Sequence, residues 1–339
     1  VSTPRGALQL DLLTDLSSQV IARLGQPVSV VCCFEAGRDG FWLHRSRLAH
    51  GVDCHVIEPA SILVNRRARR AKTDRLDTEG MLRLLAAWSG GDHQVCSMVR
   101  VPSPEAEDAR RPHREREHLV QERTRYENRI LALLATQGIR QRPSLRTWDR
   151  DLAALRAGDG RPLPPLLARE LDRLRRRLVL TMELIRELDG ERDGALEAAP
   201  QDTDNQKIVT LRRIRGIGEN FAAVLVREVL YRSFANRKQL ASYVGLTPTP
   251  FQSGSIDRDR RIGRAGNTRA RTTLIQLAWL WLRYQPDSEL AGWFRRRVGA
   301  LEGRTRRIAI VALARKLLIA LWRYTETSQV PDGVVLRAA

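Results

Sequence analysis

Asp74 and Asp77 stand one helical turn apart in the run Lys72-Thr73-Asp74-Arg75-Leu76-Asp77, and Glu35 ends an apolar strand upstream. Acids at i and i+3 of a helix face the same way, so their like charges repel unless a cation or the positive end of the helix lies between them. Two readings follow. Asp74 and Asp77 form a capping box on backbone amides, or, with Glu35, they form a divalent-cation site. No His or Cys lies within the Lys72–Asp77 run, and a hard, oxygen-only carboxylate donor set suits Mg²⁺, with Mn²⁺ as a second candidate, rather than zinc.

A second chemical candidate is Ser253, in Thr247-Pro248-Thr249-Pro250-Phe251-Gln252-Ser253-Gly254-Ser255. The sequence predicts a glycine-flanked loop, followed by Arg258, Arg260, Arg261 and Arg264 and then by Asn267, Arg269 and Arg271 entering a helix. A hydroxyl ringed by guanidinium groups is suited to attack on a phosphodiester, because the cations stabilise the charge that develops on phosphate. A polar turn serine is the alternative. Between Leu211 and Ala223, the stretch Arg215-Gly216-Ile217-Gly218 reads as the turn of a helix-hairpin-helix. Its amides can hold a phosphate, or its glycines can serve packing alone.

The chain around these residues is strongly basic. Its 339 residues carry 58 Lys and Arg against 39 Asp and Glu, a net charge of +19 and a pI near 11.1. Only Lys72, Lys207, Lys238 and Lys316 are lysines. A field of this size points to phosphate backbones as partner, DNA or RNA. The run Arg66-Arg67-Ala68-Arg69-Arg70 adds a candidate contact beside Lys72 and the acids. Hydrophobic residues at 42% exclude global disorder, and no apolar run is long enough to span a membrane. No signal peptide is visible, and Cys32, Cys33, Cys54 and Cys96 lack zinc spacing. Reduced cysteines in a bacterial cytoplasm, associated with the nucleoid, are therefore expected.

The elements that hold these residues can be read from periodicity. Residues 8–24 carry a helical stripe, Val28 to Phe34 reads as a strand buried on both sides, and a short helix runs to Ala49. Val52 to Ile57 gives a second strand parallel to the first, with Glu35 at the carboxyl end where functional groups collect. Pro59 opens a helical stretch, and a further strand is expected from Val95 to Val101. A long helix ends at Gly138, and Gly and Pro crowd a loop over 157–165. Leu171, Leu174, Leu178, Ile185 and Leu188 then fall on heptad positions interrupted by Thr181. Such a seam builds either an antiparallel hairpin or an intermolecular coiled coil. From about residue 205 a compact helical region follows, with apolar helices over 272–284 and 308–323 as its core and their tryptophans in packing roles.

Taken in order, Phe34-Glu35-Ala36-Gly37, Lys72-Thr73-Asp74-x-x-Asp77, Arg215-Gly216-Ile217-Gly218, Tyr243-Val244-Gly245-Leu246-x-Pro248, Ser253-Gly254 and Gly266-Asn267 resemble the DEDD-type insertion-sequence transposases, the bridge-RNA-guided serine recombinases. The resemblance covers nearly the whole chain. It implies an α+β, mostly helical protein in three parts: an RNase H-like (RuvC-like) domain over 1–102, a coiled-coil segment over 103–200 and an all-α transposase domain over 201–339. Glu35, Asp74 and Asp77 would be the second, third and fourth Mg²⁺-binding acids, and Ser253 the nucleophile that bonds to DNA. A structured bridge RNA encoded by the element and a dimer-to-tetramer homo-oligomer are the implied partners. The first acid of the family pattern has no counterpart ahead of Val28, so the RNase H-like domain is expected to lack its first strands. Two other functions stay open: a metal-dependent nuclease of junction-resolvase type, and a DNA- or RNA-binding remnant without catalysis.

Overall fold

The computed structural model describes residues 18–62, 74–253, 256–263, 265–299 and 303–337, with backbone alone for Asp74 and residues 250–261. The chain divides into two compact units, Val1–Ser103 and Pro104–Ala339.

In the first unit, the expected stripe over 8–24 is described only as a helix over 18–24 (α1), closed by Gly25. A β-α-β unit follows: β1 (Val31–Glu35), α2 (Trp42–Ala49) and β2 (Asp53–Ile57). The strands pair in parallel, Val31 with Asp53 through Glu35 with Ile57. Parallel pairing is what a crossover helix between two short β-branched runs produces. β2 supplies the buried face, with Cys54, Val56 and Ile57 at most 2% exposed. β1 does not meet its expectation of burial on both sides: Cys32, Cys33 and Phe34 are half-buried and Val31 is exposed. Among the described residues the sheet has two strands, and β1 has no second strand beside its outer edge.

Pro59–Ser61 forms one 3₁₀ turn, and then α3 (Asp74–Ser89) packs against β1. The Cys33 thiol contacts the Met81 carbonyl at 3.8 Å across that packing. The strand expected from Val95 to Val101 reduces to a single antiparallel bridge, Ile57 to Met98. Around it, Ser97 NH is held by the Ser61 hydroxyl at 2.9 Å, which diverts the backbone from a regular ladder, and Pro102 ends the segment.

In the second unit, α4 (Pro104–Asp108) leads into α5 (Arg111–Ala135), α6 (Trp148–Ala154) and α7 (Pro165–Ala198). The heptad seam of α7 closes on α5 of the same chain. Leu171, Leu174, Leu178, Ile130, Leu134 and Trp148 make one buried cluster. Arg116 grips Asp189 at 2.8 and 3.1 Å, while Arg129 meets Glu170 at 3.1 Å. The later arginine pairs with the earlier acid, so the helices run antiparallel. Thr181, the polar interruption, is satisfied by the Arg177 carbonyl at 2.8 Å.

The rest is a helical core built from α8 (Thr203–Arg212), α9 (Glu219–Leu225), a π-helical segment Val226–Leu230, α10 (Arg237–Tyr243), α11 (Thr268–Tyr284), α12 (Glu289–Val298) and α13 (Arg304–Thr327). Asp202, Asn236, Asn267 and Ser288 cap α8, α10, α11 and α12 through side-chain acceptors. α11 and α13 bury most of the apolar runs read from sequence, Trp281 at 1% exposure among them, while Trp279 and Ile308 stay exposed. An all-α domain is not what forms. Between α10 and α11 stands an antiparallel hairpin, β3 (Pro248–Ser253) and β4 (Ile256–Ile262), where a loop was expected. Pro248 and Pro250 argue against a strand inside a sheet, but a two-stranded hairpin has only edges, which tolerate proline. A register shift falls between those two prolines. No helix of the described residues is long and apolar enough to cross a membrane.

Candidate active site

Glu35 is the last residue of β1, and Asp74 and Asp77 lie in the first turn of α3, the helix packed on that strand. Glu35 and Asp77 are exposed and make no ion pair among the described residues. Carboxylates left in water with no internal partner contribute little to the fold, and they remain open to a cation. The side chain of Asp74 lies outside the description. No group of three potential metal ligands is assembled among the described residues. Arg66, Arg67, Arg69, Arg70 and Lys72, the basic run before the acids, also lie outside the described residues, as does Arg264.

Ser253 ends β3 and pairs with Ile256. The backbones of Arg258, Arg260 and Arg261 run along β4, while their side chains and that of Ser253 lie outside the description. The root of this hairpin is built on two glycines. Gly245 and Gly266 hold φ of 71° and 95°, and a Cβ on Gly245 would lie 2.0 Å from the Ala265 carbonyl oxygen. On Gly266 it would lie 2.5 Å from the Tyr243 carbonyl oxygen. Only glycine permits both the left-handed backbone and the contact. Gly263 NH donates to the Thr247 carbonyl at 3.0 Å, and Asn267 NH to the Tyr243 carbonyl at 2.8 Å. Arg271, 9% exposed, donates from Nη1 to the Val244 and Ala265 carbonyls and from Nη2 to the Thr268 hydroxyl. The two stems are thereby stitched together.

That root is anchored in turn by Glu228, which is fully buried in the π-helical segment. Its carboxylate accepts from His113 Nε2 at 2.9 Å, Arg114 Nε and Nη2 at 2.7 and 2.9 Å, and Asn267 Nδ2 at 2.9 Å. Arg269 stands 3.6 Å away and pairs also with Glu117. The Tyr243 hydroxyl donates to the Glu228 backbone carbonyl at 3.1 Å. Burial pushes the Glu228 carboxyl up, but the hydrogen bonds from His113, Arg114 and Asn267 outweigh it and hold the group well below the usual carboxylate range. The bonds to Glu228 raise the Arg114 guanidinium in return. Four elements converge here: α5, the π-helical segment, the end of α10 and the start of α11. π-helical insertions of this kind recur at functional sites.

Asn267, Arg269 and Arg271, expected from sequence to touch nucleic acid, are thus engaged inside the protein. Glu228 itself is not among the residues picked out from sequence. Its signal was there: one acid inside Val224-Leu225-Val226-Arg227-Glu228-Val229-Leu230, where an unpaired charge would be costly.

The expected helix-hairpin-helix turn joins α8 to α9. Arg215 is exposed, its NH donates to the Val335 carbonyl at 3.1 Å, and its carbonyl accepts from Gln285 Nε2 at 2.7 Å. Gly216 (φ 96°) lies so close to Tyr284 that a Cβ would approach the Tyr284 Cβ to 2.8 Å, which gives this glycine a packing role. Gly218 caps α9 in extended conformation. At the start of α9 the Glu219 carboxylate already occupies an anion's position. Its own backbone NH, despite partial burial, and then Arg212 hold it below the usual range. Arg212 is 3.1 Å away and Arg337 3.8 Å.

A family model, described as Transposase IS116/IS110/IS902 family, matches residues 209–291, from the end of α8 through the hairpin into α12. Over 331 residues the chain is 47% identical to "Putative transposase y4rJ" of Sinorhizobium fredii, covering 95% of this chain and 84% of that protein. It is 24% identical over 298 residues to the transposase for insertion sequence element IS1111A of Coxiella burnetii, covering 87% and 77% of the two chains.

Proposed function

Since this chain belongs to the IS116/IS110/IS902 family of insertion-sequence transposases, we propose that it cuts and rejoins DNA with Ser253 as nucleophile. The Ser253 hydroxyl oxygen attacks a backbone phosphorus, the bond to the leaving strand's oxygen breaks, and that oxygen takes a proton as the serine gives one up. The phosphoserine link keeps the bond energy for rejoining, in which a strand hydroxyl displaces the serine. One observation carries the reading. Ser253 ends β3 at the tip of a hairpin whose root is fixed by Gly245, Gly266, Arg271 and the Asn267–Glu228 contact, within the span matched by the family model. A nucleophile needs a held position more than surrounding charge, because orientation accounts for much of the barrier lowering.

Glu35, Asp74 and Asp77 would hold Mg²⁺ in this reading, and the ion would stabilise negative charge on the phosphate. The oxygen-only donors and the unpaired, exposed state of Glu35 and Asp77 among the described residues fit that ion. The two acidic elements belong to an RNase H-like domain, and the α5–α7 hairpin to a helical linker. An element-encoded structured RNA as guide, and a homo-oligomer of two to four chains, complete the proposal. The chain's +19 charge supports a large phosphate-bearing partner. Excision of the element in cells supplying its RNA tests the assignment. Ser253→Ala abolishes recombination if the reading is right, and undiminished recombination removes the serine from its role.

A further inference from the structure

Arg269 and Arg271, singled out near Ser253, are committed to carboxylates and carbonyls. Elsewhere the molecule carries a group of arginines with no carboxylate among the described residues to hold them. Arg295, Arg296 and Arg297 form the last turn of α12, and Arg304, Arg306 and Arg307 the first turn of α13. Gly299 (φ 53°) closes α12, Gly303 (φ 66°) precedes α13, and the two helices pack against each other. All six are exposed, and none forms an ion pair with a described residue. Arg295 also donates to the Pro286 carbonyl at 2.7 Å, which positions it without neutralising it. Between Glu289 and Arg307 the sequence sets six arginines against Glu289 and Glu302 alone.

We infer that this α12–α13 arginine cluster is a docking surface for the sugar-phosphate backbone of duplex DNA, engaged without reading sequence. Three observations support it. First, arginines at the start of a helix oppose its dipole, and α13 has no acid in its first turn to offset them. Their placement therefore works against stability and calls for another use. Second, the patch contains a flat apolar neighbour. Arg306 stacks 5.2 Å from the Trp279 ring, which is 39% exposed, and Ile308 beside it is 59% exposed. A guanidinium held over an indole keeps its outer edge free to fork a phosphate, as Arg does and Lys does not. Third, residues 295–307 carry six arginines against Glu302 alone, and a polyanion is the partner that relieves repulsion among cations this dense. The inference rests on the family's action on DNA and says which face meets a backbone. It is independent of which residue attacks phosphorus.

The test uses the full chain carrying Ser253→Ala, so that binding is read without reaction. Two variants are compared in it, R295Q/R296Q/R297Q and R304Q/R306Q/R307Q, with R173Q/R177Q/R186Q on α7 as a control that removes equal charge from exposed positions. Binding to a duplex DNA and to a folded RNA hairpin is followed against salt. Each arginine–phosphate pair removed lowers the slope of log affinity on log salt by about 0.9, so each patch triple should lower it by about 2–3 and weaken binding at least about tenfold. The α7 control should change neither by more than about a third of that. A loss on the duplex supports the inference, and a loss confined to the RNA hairpin overturns it. Equal losses in patch and control, or none, overturn the inference, as does retention of both nucleic acids with loss of binding to anionic lipid vesicles. If a Gln triple fails to fold, R295K/R296K/R297K and protection of the unmodified arginines from phenylglyoxal by bound duplex decide the matter. Absence of protection overturns it.

Discussion

Replacing Glu228 by Gln is the perturbation whose consequence follows most directly from the geometry. The carboxylate accepts four hydrogen bonds from His113, Arg114 and Asn267, with no solvent exposure. An amide keeps the shape but turns an NH₂ toward a guanidinium or amide donor and removes the charge opposite Arg114. Four bonds at about 2 kcal/mol each would total about 8 kcal/mol gross, but the half-exposed Arg114 regains water on losing its partner. The net cost expected is about 3–5 kcal/mol, the range for breaking one side of a buried pair. For a unit of this size that lowers Tm by roughly 8–15 °C, measured by calorimetry. Pairing the change with Arg114→Met should recover about 1.5–3 kcal/mol relative to the sum of the single effects, because the orphaned cation is then gone. A loss under about 1 kcal/mol for Glu228→Gln, or additivity in the double variant, would refute the claim that Glu228 anchors the hairpin root.

The same group sets a pH dependence. Its carboxyl is depressed in the folded state, so its stabilisation is complete above the ordinary carboxylate value of about 4.3 and is lost as pH falls towards the lower folded value. The stability gap between the native chain and Glu228→Gln should therefore be flat near pH 7 and shrink below about pH 4; a gap that widens there contradicts the sign. Gly266→Ala should cost more than about 2 kcal/mol and abolish recombination, from φ of 95° and a Cβ only 2.5 Å from a carbonyl oxygen. Gly190→Ala, in open space on α7, should instead stabilise by up to about 1 kcal/mol, and equal behaviour of the two would sink the close-approach argument. Asp77→Asn, at an exposed position, should leave Tm within about 1 °C while removing strand transfer, and EDTA should do the same to the native chain. A large fall in Tm would mark Asp77 as structural.

Local pattern made much of this architecture readable. The β-α-β unit was visible because β-branched runs, a Gly51 stop and a short amphipathic helix are each decided within a few residues. The α7 heptad predicted a seam, but the choice between a hairpin and a partner chain depended on α5, whose Ile130 and Leu134 share one buried cluster with Leu171 and Leu174. The β3–β4 hairpin was missed because prolines and the charges of β4 have little strand propensity, and pairing across the turn overrides that preference. The Val95–Val101 run failed in the opposite sense, its ladder given up to the Ser61–Ser97 contact. Least legible was which arginines lack an internal acid. Arg271 and Arg269 look no different in sequence from Arg306 and Arg307, and only contacts reaching Val244, Glu117 and Glu228 separate them. The candidate acids and serine were found by type and order, whereas Glu228, joined to residues 39 and 115 positions away, depends on the tertiary fold.

A covalent bond between Ser253 and a DNA phosphate is the step on which the proposed reaction depends. Native protein reacted with end-labelled element DNA and its RNA, then denatured and digested, should yield a peptide containing Ser253 that carries a nucleotide, detected by mass spectrometry and absent with Ser253→Ala. Strand cleavage that proceeds at full rate with no nucleotide on that peptide would contradict it and favour hydrolysis by metal-bound water.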